Sequence, residues 1–173
     1  SAFKHHKNCI YIPWGTNTDV FVPQNMPHDR LTFFHSAGMN PKRKGTDFVI
    51  LAFAQLAENN SKLMIHSQID LIKHFPELSE LIQNLSSQGK LEIIEQEVKA
   101  PGLYHLGDIY VYPSRLDGIG LNIAEAMSCG LPTILSDQAP MNEFFDENSS
   151  QLAKITHLYA RNDGYYWPQC EID

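Results

Sequence analysis

Residues 117–132 read DGIGLNIAEAMSCGLP, and this stretch decides how the rest of the chain is interpreted. Gly118 and Gly120 mark a turn, and the almost wholly apolar run that follows, residues 121–129, predicts a short buried helix. Glu125 lies in the middle of that run. An isolated buried carboxylate is costly, so Glu125 must have a partner. That partner is either a ligand or a nearby Lys or Arg.

Outward from this stretch, apolar runs alternate with helical patterns. Short apolar runs predict strands at residues 9–13, 31–35, 62–66, 91–94, 109–112 and 133–135. Helical spacing predicts helices at 46–58 and 77–87, with weaker signals at 103–106 and 141–145. In the helix at 46–58, the residues predicted to share one face are Phe48, Leu51, Ala52, Gln55 and Leu56. The alternation predicts an α/β fold, a doubly wound parallel sheet in a single Rossmann-like domain.

Composition limits the class of protein. The chain has 173 residues, 43% of them hydrophobic, and a net charge of -7, which suits one folded domain and argues against a nucleic-acid partner. Three widely spaced cysteines favour a reducing compartment, and no apolar run is long enough to cross a membrane. We therefore expect a soluble, cytoplasmic protein. The strand-like beginning and the end without a closing helix predict that both ends are truncated.

Two polar loops follow predicted strands, at the edge of the sheet where such folds bind ligands. They are residues 36–45 (SAGMNPKRKG) and residues 113–120 (PSRLDGIG). The glycines of the second loop, followed by a helix N-terminus, are typical of a phosphate cradle, although a tight turn that needs positive φ explains them equally well. Ile123 stands where a dinucleotide fingerprint needs its third glycine, which disfavours a dehydrogenase.

Three charged positions near these loops are candidates for contacts with a nucleotide. Glu125, about one and a half turns into the helix, can accept hydrogen bonds from a ribose diol or can form a salt bridge. Asp117 can lie beside a sugar or can cap the helix. Lys44 can meet a diphosphate as a point charge, but Lys42 and Arg43 are adjacent, and the sequence does not decide which of the three points inward.

These motifs together resemble the C-terminal, donor-binding half of GT-B retaining glycosyltransferases, in the large family four. The segments that carry the resemblance are residues 12–21 (IPWGTNTDVF), 44–47 (KGTD), 112–114 (YPS), 117–132 and 140–144 (PMNEF). The resemblance implies transfer of a sugar from a nucleoside-diphosphate sugar to an acceptor hydroxyl, with retained configuration, in the synthesis of bacterial surface polysaccharide or glycoconjugates. It implies no cofactor and no metal, and none of the histidines has zinc-ligand spacing.

The resemblance also implies partners and a division into domains. Residues 1–173 would be the donor-binding domain, and the acceptor-binding N-terminal domain would be missing, so the fragment is expected to be inactive alone. The full-length enzyme would associate peripherally with the inner face of the membrane. Two other hypotheses stay open: a non-catalytic nucleotide-binding module and a GT-B sugar-nucleotide epimerase.

Position by position, the family pattern assigns roles to individual residues. Glu125 matches the second glutamate of the E-x-seven-E motif and would grip the ribose, and Asp117 stands at the first and would lie against the donor sugar. Asp117 and Lys44 are the catalytic candidates. The donor-binding candidates are Gly38, Arg43, Lys44, Val98, Gly118, Ile119, Gly120, Leu121 and Glu125. The chain departs from the pattern where Asp117 replaces a glutamate and where Met39 replaces an arginine.

Overall fold

Six parallel strands form the central sheet of the computed structural model, which describes residues 5, 7–10, 12–24, 26–56, 60–160 and 168–172. The strands are β1 (Leu31–Gly38), β2 (Ser61–Ser67), β3 (Leu91–Glu95), β4 (Ile109–Tyr112), β5 (Thr133–Ser136) and β6 (Ser150–Ala153). Their order is β3-β2-β1-β4-β5-β6, and every neighbouring pair is parallel. This is the doubly wound order, in which the chain reverses direction across the sheet between β1 and β4. The predicted fold class is confirmed.

Helices connect the strands. They are α1 (Pro41–Lys44), α2 (Thr46–Gln55), α3 (Leu71–His74), α4 (Ser79–Ser87) and α5 (Leu121–Ser128). Short 3-10 turns occur at Pro76–Leu78, Tyr104–Leu106 and Met141–Phe144. After β6, an antiparallel hairpin is formed by β7 (Ile155–Tyr159) and β8 (Gln169–Ile172). The predicted helices at 77–87 and 121–129 are confirmed with slightly different limits.

The core has two halves, one on each face of the sheet, because successive strand residues point to opposite faces. On one face, α2 and α4 pack on β1, β2 and β3 through Ile50, Phe53, Leu63, Ile65, Ile82 and Leu85. On the other, α5 packs on β1, β4 and β5 through Phe34, Tyr110, Tyr112, Ile123, Ala126 and Leu135. This second half supports the site described below.

The predicted strand at residues 9–13 is wrong. The described residues of that segment, which exclude Tyr11, lie outside any strand. Ile10 and Ile12 are each 82% exposed. An apolar run becomes a strand only where a sheet edge and a buried face are available, and this segment has neither.

The helix at 46–58 is predicted with the right period but the wrong buried face. Val49, Ile50 and Phe53 are buried, whereas Leu51 and Leu56 are each 44% exposed. The run is apolar almost all round, so spacing alone does not select the stripe that faces the sheet. The helix ends at Gln55, and residues 57 and 58 of the prediction lie outside the described residues. The sequence also does not predict α1, α3, β6 or the β7–β8 hairpin, whose elements are only four or five residues long.

Candidate functional site

A cleft of about 280 Å³ opens at the carboxyl edge of the sheet, beside the point where the strand order reverses between β1 and β4. Side chains and backbone from separate elements line it, among them Gly38, His66, Val98, Tyr104, Asn122 and Glu125. The predicted donor-binding positions Gly38, Val98 and Glu125 therefore lie in one cavity. This is the position at which doubly wound sheets bind ligands.

Glu125 faces this cleft from α5, while Ile123 and Ala126 on the same helix are buried in the core. Its Oε2 accepts a hydrogen bond of 2.6 Å from the Tyr104 hydroxyl. Burial raises the pKa of Tyr104 far above its ordinary value, and the charge of Glu125 raises it further, so the phenol keeps its proton and remains the donor. Within the part of the chain that the structure describes, Glu125 forms no ion pair with Lys or Arg. The salt-bridge alternative is wrong here.

Lys44, the last residue of α1, is the most deeply buried member of the basic triplet, with 8% of its surface exposed. Its Nζ donates to Asn122 Oδ1 at 2.9 Å, to Asp117 Oδ2 at 3.3 Å and to the Tyr112 hydroxyl. Burial lowers the pKa of Lys44 to about 8, although the charge of Asp117 opposes that shift. Lys44 is therefore mostly protonated at neutral pH, and all three of its N–H groups have acceptors.

Arg43 also points toward the site. Its Nη1 donates to the Leu116 carbonyl oxygen at 2.7 Å and to Asp117 Oδ2 at 3.1 Å. Lys42, in contrast, is exposed and pairs with Asp47 at 2.7 Å. Met39, where the family pattern has an arginine, is 75% exposed. Arg43 thus brings a second cation to the edge where Met39 supplies none.

Asp117 stabilises the turn before α5 rather than capping the helix itself, and its predicted contact with a sugar stays a prediction. Its Oδ1 accepts hydrogen bonds from the backbone N–H groups of Ile119 and Gly120 at 3.2 and 3.0 Å, which stabilises the turn before α5. Its Oδ2 accepts from Arg43, Lys44 and the Tyr112 hydroxyl. Burial alone would raise the pKa of Asp117, but the charge of Lys44 and these hydrogen bonds lower it far below its usual range. Asp117 is therefore ionised at all physiological pH values.

The glycines of the turn do different things. Gly120 has φ 80° and begins α5, and a Cβ there would lie 2.8 Å from the Phe144 ring. Gly120 is therefore required by the tight turn before α5. A Cβ on Gly118 would meet no atom within 4 Å, and Gly118 and Ile119 are exposed, so this backbone is accessible. Leu121, the first residue of α5, is half-buried, and no side chain caps the helix in competition with an anion.

Sequence reasoning missed Arg115, a buried arginine with 2% exposure in the loop after β4. It forms a two-pronged ion pair with Asp47 at 2.7 and 2.8 Å and donates to the Lys42 carbonyl oxygen at 2.7 Å. The Arg115 N–H also donates to the Arg43 carbonyl oxygen at 2.8 Å. Arg115 therefore ties α1, which carries Lys44, to the loop that carries Asp117. Its only sequence signal is its place directly after a buried strand.

His35, on β1 beneath the site, was also missed. It is fully buried, with Nδ1 2.8 Å from the Val111 carbonyl oxygen and Nε2 2.8 Å from the Thr46 hydroxyl oxygen. Burial lowers the pKa of His35 to about 4, so it is neutral at pH 7. Its Nδ1–H donates to the carbonyl and its Nε2 accepts from Thr46. His35 joins β1, β4 and α2 and serves the framework of the site.

Across the described ranges, no cluster of three or more His, Cys, Asp or Glu side chains could hold a metal ion. The prediction that no metal is needed stays a prediction. Among the same residues, no helix is long and apolar enough to cross a bilayer.

Several known proteins are similar to this chain in sequence. The family model described as "Glycosyl transferases group 1" matches residues 17–157. A "Probable sucrose-phosphate synthase" of Thermosipho melanesiensis is 28% identical over 163 residues, which cover 89% of this chain and 37% of that protein. A "Lipopolysaccharide core biosynthesis mannosyltransferase LpsB" of Rhizobium meliloti is 23% identical over 160 residues, which cover 82% of this chain and 44% of that protein. The chain thus spans less than half the length of these relatives.

Solved structures agree with the fold. A glycosyltransferase from Rickettsia africae superposes with a TM-score of 0.68 at 21% identity, over 81% of this chain and 41% of that one. The Anabaena protein Alr3699/HepE, solved in complex with UDP and glucose, gives a TM-score of 0.60 at 20% identity, over 73% of this chain and 35% of that one.

Proposed function

Because this chain belongs to the glycosyl transferases group 1 family, we propose that it is the donor-binding domain of a retaining glycosyltransferase. The domain holds a nucleoside-diphosphate sugar, and the full-length enzyme moves that sugar to an acceptor hydroxyl. One observation carries the proposal. The cleft beside the switch point between β1 and β4 contains a carboxylate, Glu125, that is available to a ligand. Hydrogen bonds through Asn122 and Tyr104 connect Glu125 to the cationic cluster of Arg43 and Lys44. The UDP and glucose bound by the Anabaena neighbour support the ligand class.

The ribose end of the donor is assigned to Glu125. Oε2 is held by the Tyr104 hydroxyl at 2.6 Å, which fixes the carboxylate in the cleft. Oε1 has no protein donor among the described residues, so it is available to accept a hydrogen bond from a ribose hydroxyl. A hydrogen bond to a charged carboxylate is worth about 1.5–3 kcal/mol, enough for Glu125 to dominate recognition of the sugar of the nucleotide.

The diphosphate is assigned to Lys44 and Arg43. These two cations share one anion, Asp117, so the cluster has an excess positive charge beside the first turn of α5. All three N–H groups of Lys44 already have acceptors, so binding a diphosphate requires Lys44 to exchange one of them. During transfer, negative charge grows on the leaving diphosphate, and a preorganised donor aimed at such charge is worth about 3–4 kcal/mol.

Asp117 keeps this cationic cluster in place. Its two oxygens accept five hydrogen bonds, so in this arrangement it holds Lys44 and Arg43 beside the turn at Gly120. We assign contact with the donor sugar to the exposed backbone at Gly118 and Ile119, with Asp117 at the side. No metal ion is part of the proposal, because two side-chain cations supply the positive charge.

The relatives support a proposal about the full-length protein and its acceptor. The chain spans 37% and 44% of the two relatives described above, and we assign acceptor binding to an N-terminal domain of the full-length protein. We assign the acceptor to bacterial polysaccharide or glycoconjugate synthesis, a proposal supported by the lipopolysaccharide core biosynthesis named for the relative LpsB. We also propose that the full-length enzyme works on the cytoplasmic side of the membrane. The domain alone is then expected to bind donor without transferring sugar.

A second hypothesis is a non-catalytic nucleotide-binding module. It is favoured by the exposed Met39 and by the complete occupation of both Asp117 oxygens. The full-length protein separates the two hypotheses. Slow hydrolysis of a nucleotide sugar, with release of a sugar of retained configuration, supports a transferase. Binding without any hydrolysis supports the module.

Titration calorimetry tests the diphosphate assignment. UDP, GDP and ADP are titrated into this domain beside their parent nucleosides, and the tightest diphosphate is carried forward. Lys44→Ala should raise the Kd for the diphosphate at least about tenfold and should weaken the nucleoside far less, because only the diphosphate meets the charge of Lys44 directly. Lys42→Ala, which removes an exposed cation of the same triplet, should change neither.

Two outcomes would contradict the assignment. Equal losses for diphosphate and nucleoside would show that Lys44 serves the fold. Failure of all three diphosphates to bind the wild-type domain would reject the proposed function itself.

A further inference from the structure

Asn122 lies in the cleft beside Glu125 and forms hydrogen bonds with Lys44 and with Tyr104. Its Oδ1 accepts from Lys44 Nζ at 2.9 Å, and its Nδ2 donates to the Tyr104 hydroxyl oxygen at 3.3 Å. Tyr104 in turn donates to Glu125 Oε2 at 2.6 Å. A continuous chain of hydrogen bonds therefore runs from the cation proposed for the diphosphate to the carboxylate proposed for the ribose.

The chemistry of the groups allows only one direction for this chain. An ammonium only donates, so the amide oxygen of Asn122 must face Lys44 and its NH₂ group must face Tyr104. A phenol has one proton, and a carboxylate only accepts, so Tyr104 accepts from Asn122 and donates to Glu125. A flipped amide would set its NH₂ against the ammonium. Protonated Lys44 thus fixes Asn122, and Asn122 favours the Tyr104 orientation that holds Glu125.

A role in packing explains Asn122 less well. It is half-buried on the cleft side of α5, whereas the core positions of that helix are Ile123 and Ala126. Tyr104, by contrast, is buried among aromatic rings, with its ring centroid 5.9 Å from that of Phe34 and 5.5 Å from that of Tyr110. The rings hold the body of Tyr104, and the hydrogen bonds set the direction of its hydroxyl.

We propose that Asn122 is a positioning residue that couples Lys44 to Glu125 and sets the preference of the site for a ribose over a sugar without hydroxyls. The inference rests on the proposed function and deepens it. Asn122 acts on the ribose through Tyr104 and Glu125. Loss of its amide frees the Tyr104 hydroxyl to turn away and removes the support of Glu125 Oε2.

The readout is a ratio of two affinities. The tightest of UDP, GDP and ADP is titrated into the domain beside its 2′,3′-dideoxy analogue. The Kd of the dideoxy analogue divided by the Kd of the parent diphosphate reports ribose preference. Asn122→Ala should lower this ratio about tenfold, the worth of one hydrogen bond to a charged group. Tyr104→Phe, which keeps the ring and removes the hydroxyl, should lower it as much. The double variant should lower it no further, because both residues act in one chain.

Controls separate positioning from a general loss of structure. Asn84→Ala changes an exposed asparagine on α4, away from the cleft, and should leave the ratio at the wild-type value. Because all variants are compared by a ratio, a uniform loss of affinity cancels. A wild-type ratio in Asn122→Ala, or additive losses in the double variant, would overturn the inference while wild-type binding keeps the proposed function intact. Absence of diphosphate binding in the wild type would reject the proposed function first and the inference with it.

Discussion

Replacing Arg115 with methionine is expected to lower the free energy of unfolding by about 3 kcal/mol, because it leaves Asp47 charged and without its main partner. The guanidinium is almost fully buried and pairs with both oxygens of Asp47. Its central carbon also lies 3.8 Å from the centre of the Phe48 ring, a contact that the flexible thioether side chain of methionine replaces only in part.

The size of the expected loss depends on the hydrogen-bond partners that Asp47 retains in Arg115→Met. Removing one member of a buried ion pair costs about 3–5 kcal/mol. Asp47 retains its 2.7 Å contact with Lys42, which places the expected loss at the lower end of that range. The contact between Arg115 and Glu171, at 3.2 Å, involves a partly exposed carboxylate and contributes at most about 1 kcal/mol.

Urea unfolding followed by far-ultraviolet circular dichroism measures this loss. Glu171→Gln is the matched control and should cost at most about 1 kcal/mol. Adding Asp47→Leu to Arg115→Met should recover much of the loss, because a buried ion pair replaced by apolar groups is often neutral. A loss below about 1 kcal/mol in Arg115→Met, or no recovery in the double variant, would refute the reasoning.

The effect should also depend on pH in a definite direction. Burial raises the pKa of Asp47, but the hydrogen bonds from Arg115 and Lys42 outweigh burial and lower it below its ordinary value. The stability that Asp47 contributes is therefore present above its unfolded pKa of about 3.9 and is lost as the pH falls through its lower folded pKa. The difference between wild type and Arg115→Met should shrink in acid. A constant difference down to about pH 2 would contradict this.

Three further predictions test the surroundings of the site. The buried Tyr110 hydroxyl has no hydrogen-bond partner among the described residues, so Tyr110→Phe should leave the melting temperature unchanged or raise it. Tyr112→Phe, which loses the contacts to the charged cluster, should cost about 1–2 kcal/mol, and equal losses in the two variants would contradict this. Gly45 has φ 76°, and a Cβ there would lie 2.0 Å from a backbone oxygen, so Gly45→Ala should lower the free energy of unfolding in urea by at least about 2 kcal/mol. Gly118→Ala, where a Cβ meets open space, should change it by no more than about 0.5 kcal/mol. A smaller loss at Gly45 than at Gly118 would contradict the geometry. Burial lowers the pKa of Lys44 to about 8, so the affinity of the wild type for the diphosphate, measured by calorimetry, should fall up to about tenfold per pH unit above that value. The affinity of Lys44→Met should not depend on pH in this range. A pH-independent affinity in the wild type would contradict the charge assignment.

The fold was largely predictable because parallel strands buried on both faces leave a clear apolar signal. Five of the six strands of the main sheet were found in this way, at residues 31–35, 62–66, 91–94, 109–112 and 133–135. Strand β6 reads SQLA and has little apolar signal. The buried face of α2 was not predictable, since packing against the sheet selects among several apolar stripes.

The site was predictable only as far as strand ends and helix starts bring residues together. That rule places Lys44 and Glu125 near the same edge. It does not show that α1 turns Lys44 inward and Lys42 outward, because that choice depends on a single turn of helix capped by Asn40. The partners Tyr104, Asn122 and Arg115 come from long-range packing, which spacing along the chain does not encode.

Binding of a nucleoside diphosphate to Glu125→Gln tests the account most directly. Glutamine keeps the size of the side chain and can still accept from the Tyr104 hydroxyl, but it removes the charge proposed to hold the ribose. The account predicts that the Kd for the diphosphate rises about tenfold or more with the melting temperature nearly unchanged. A Kd equal to that of the wild type, in a folded variant, would show that the carboxylate does not hold the ribose and would contradict the account.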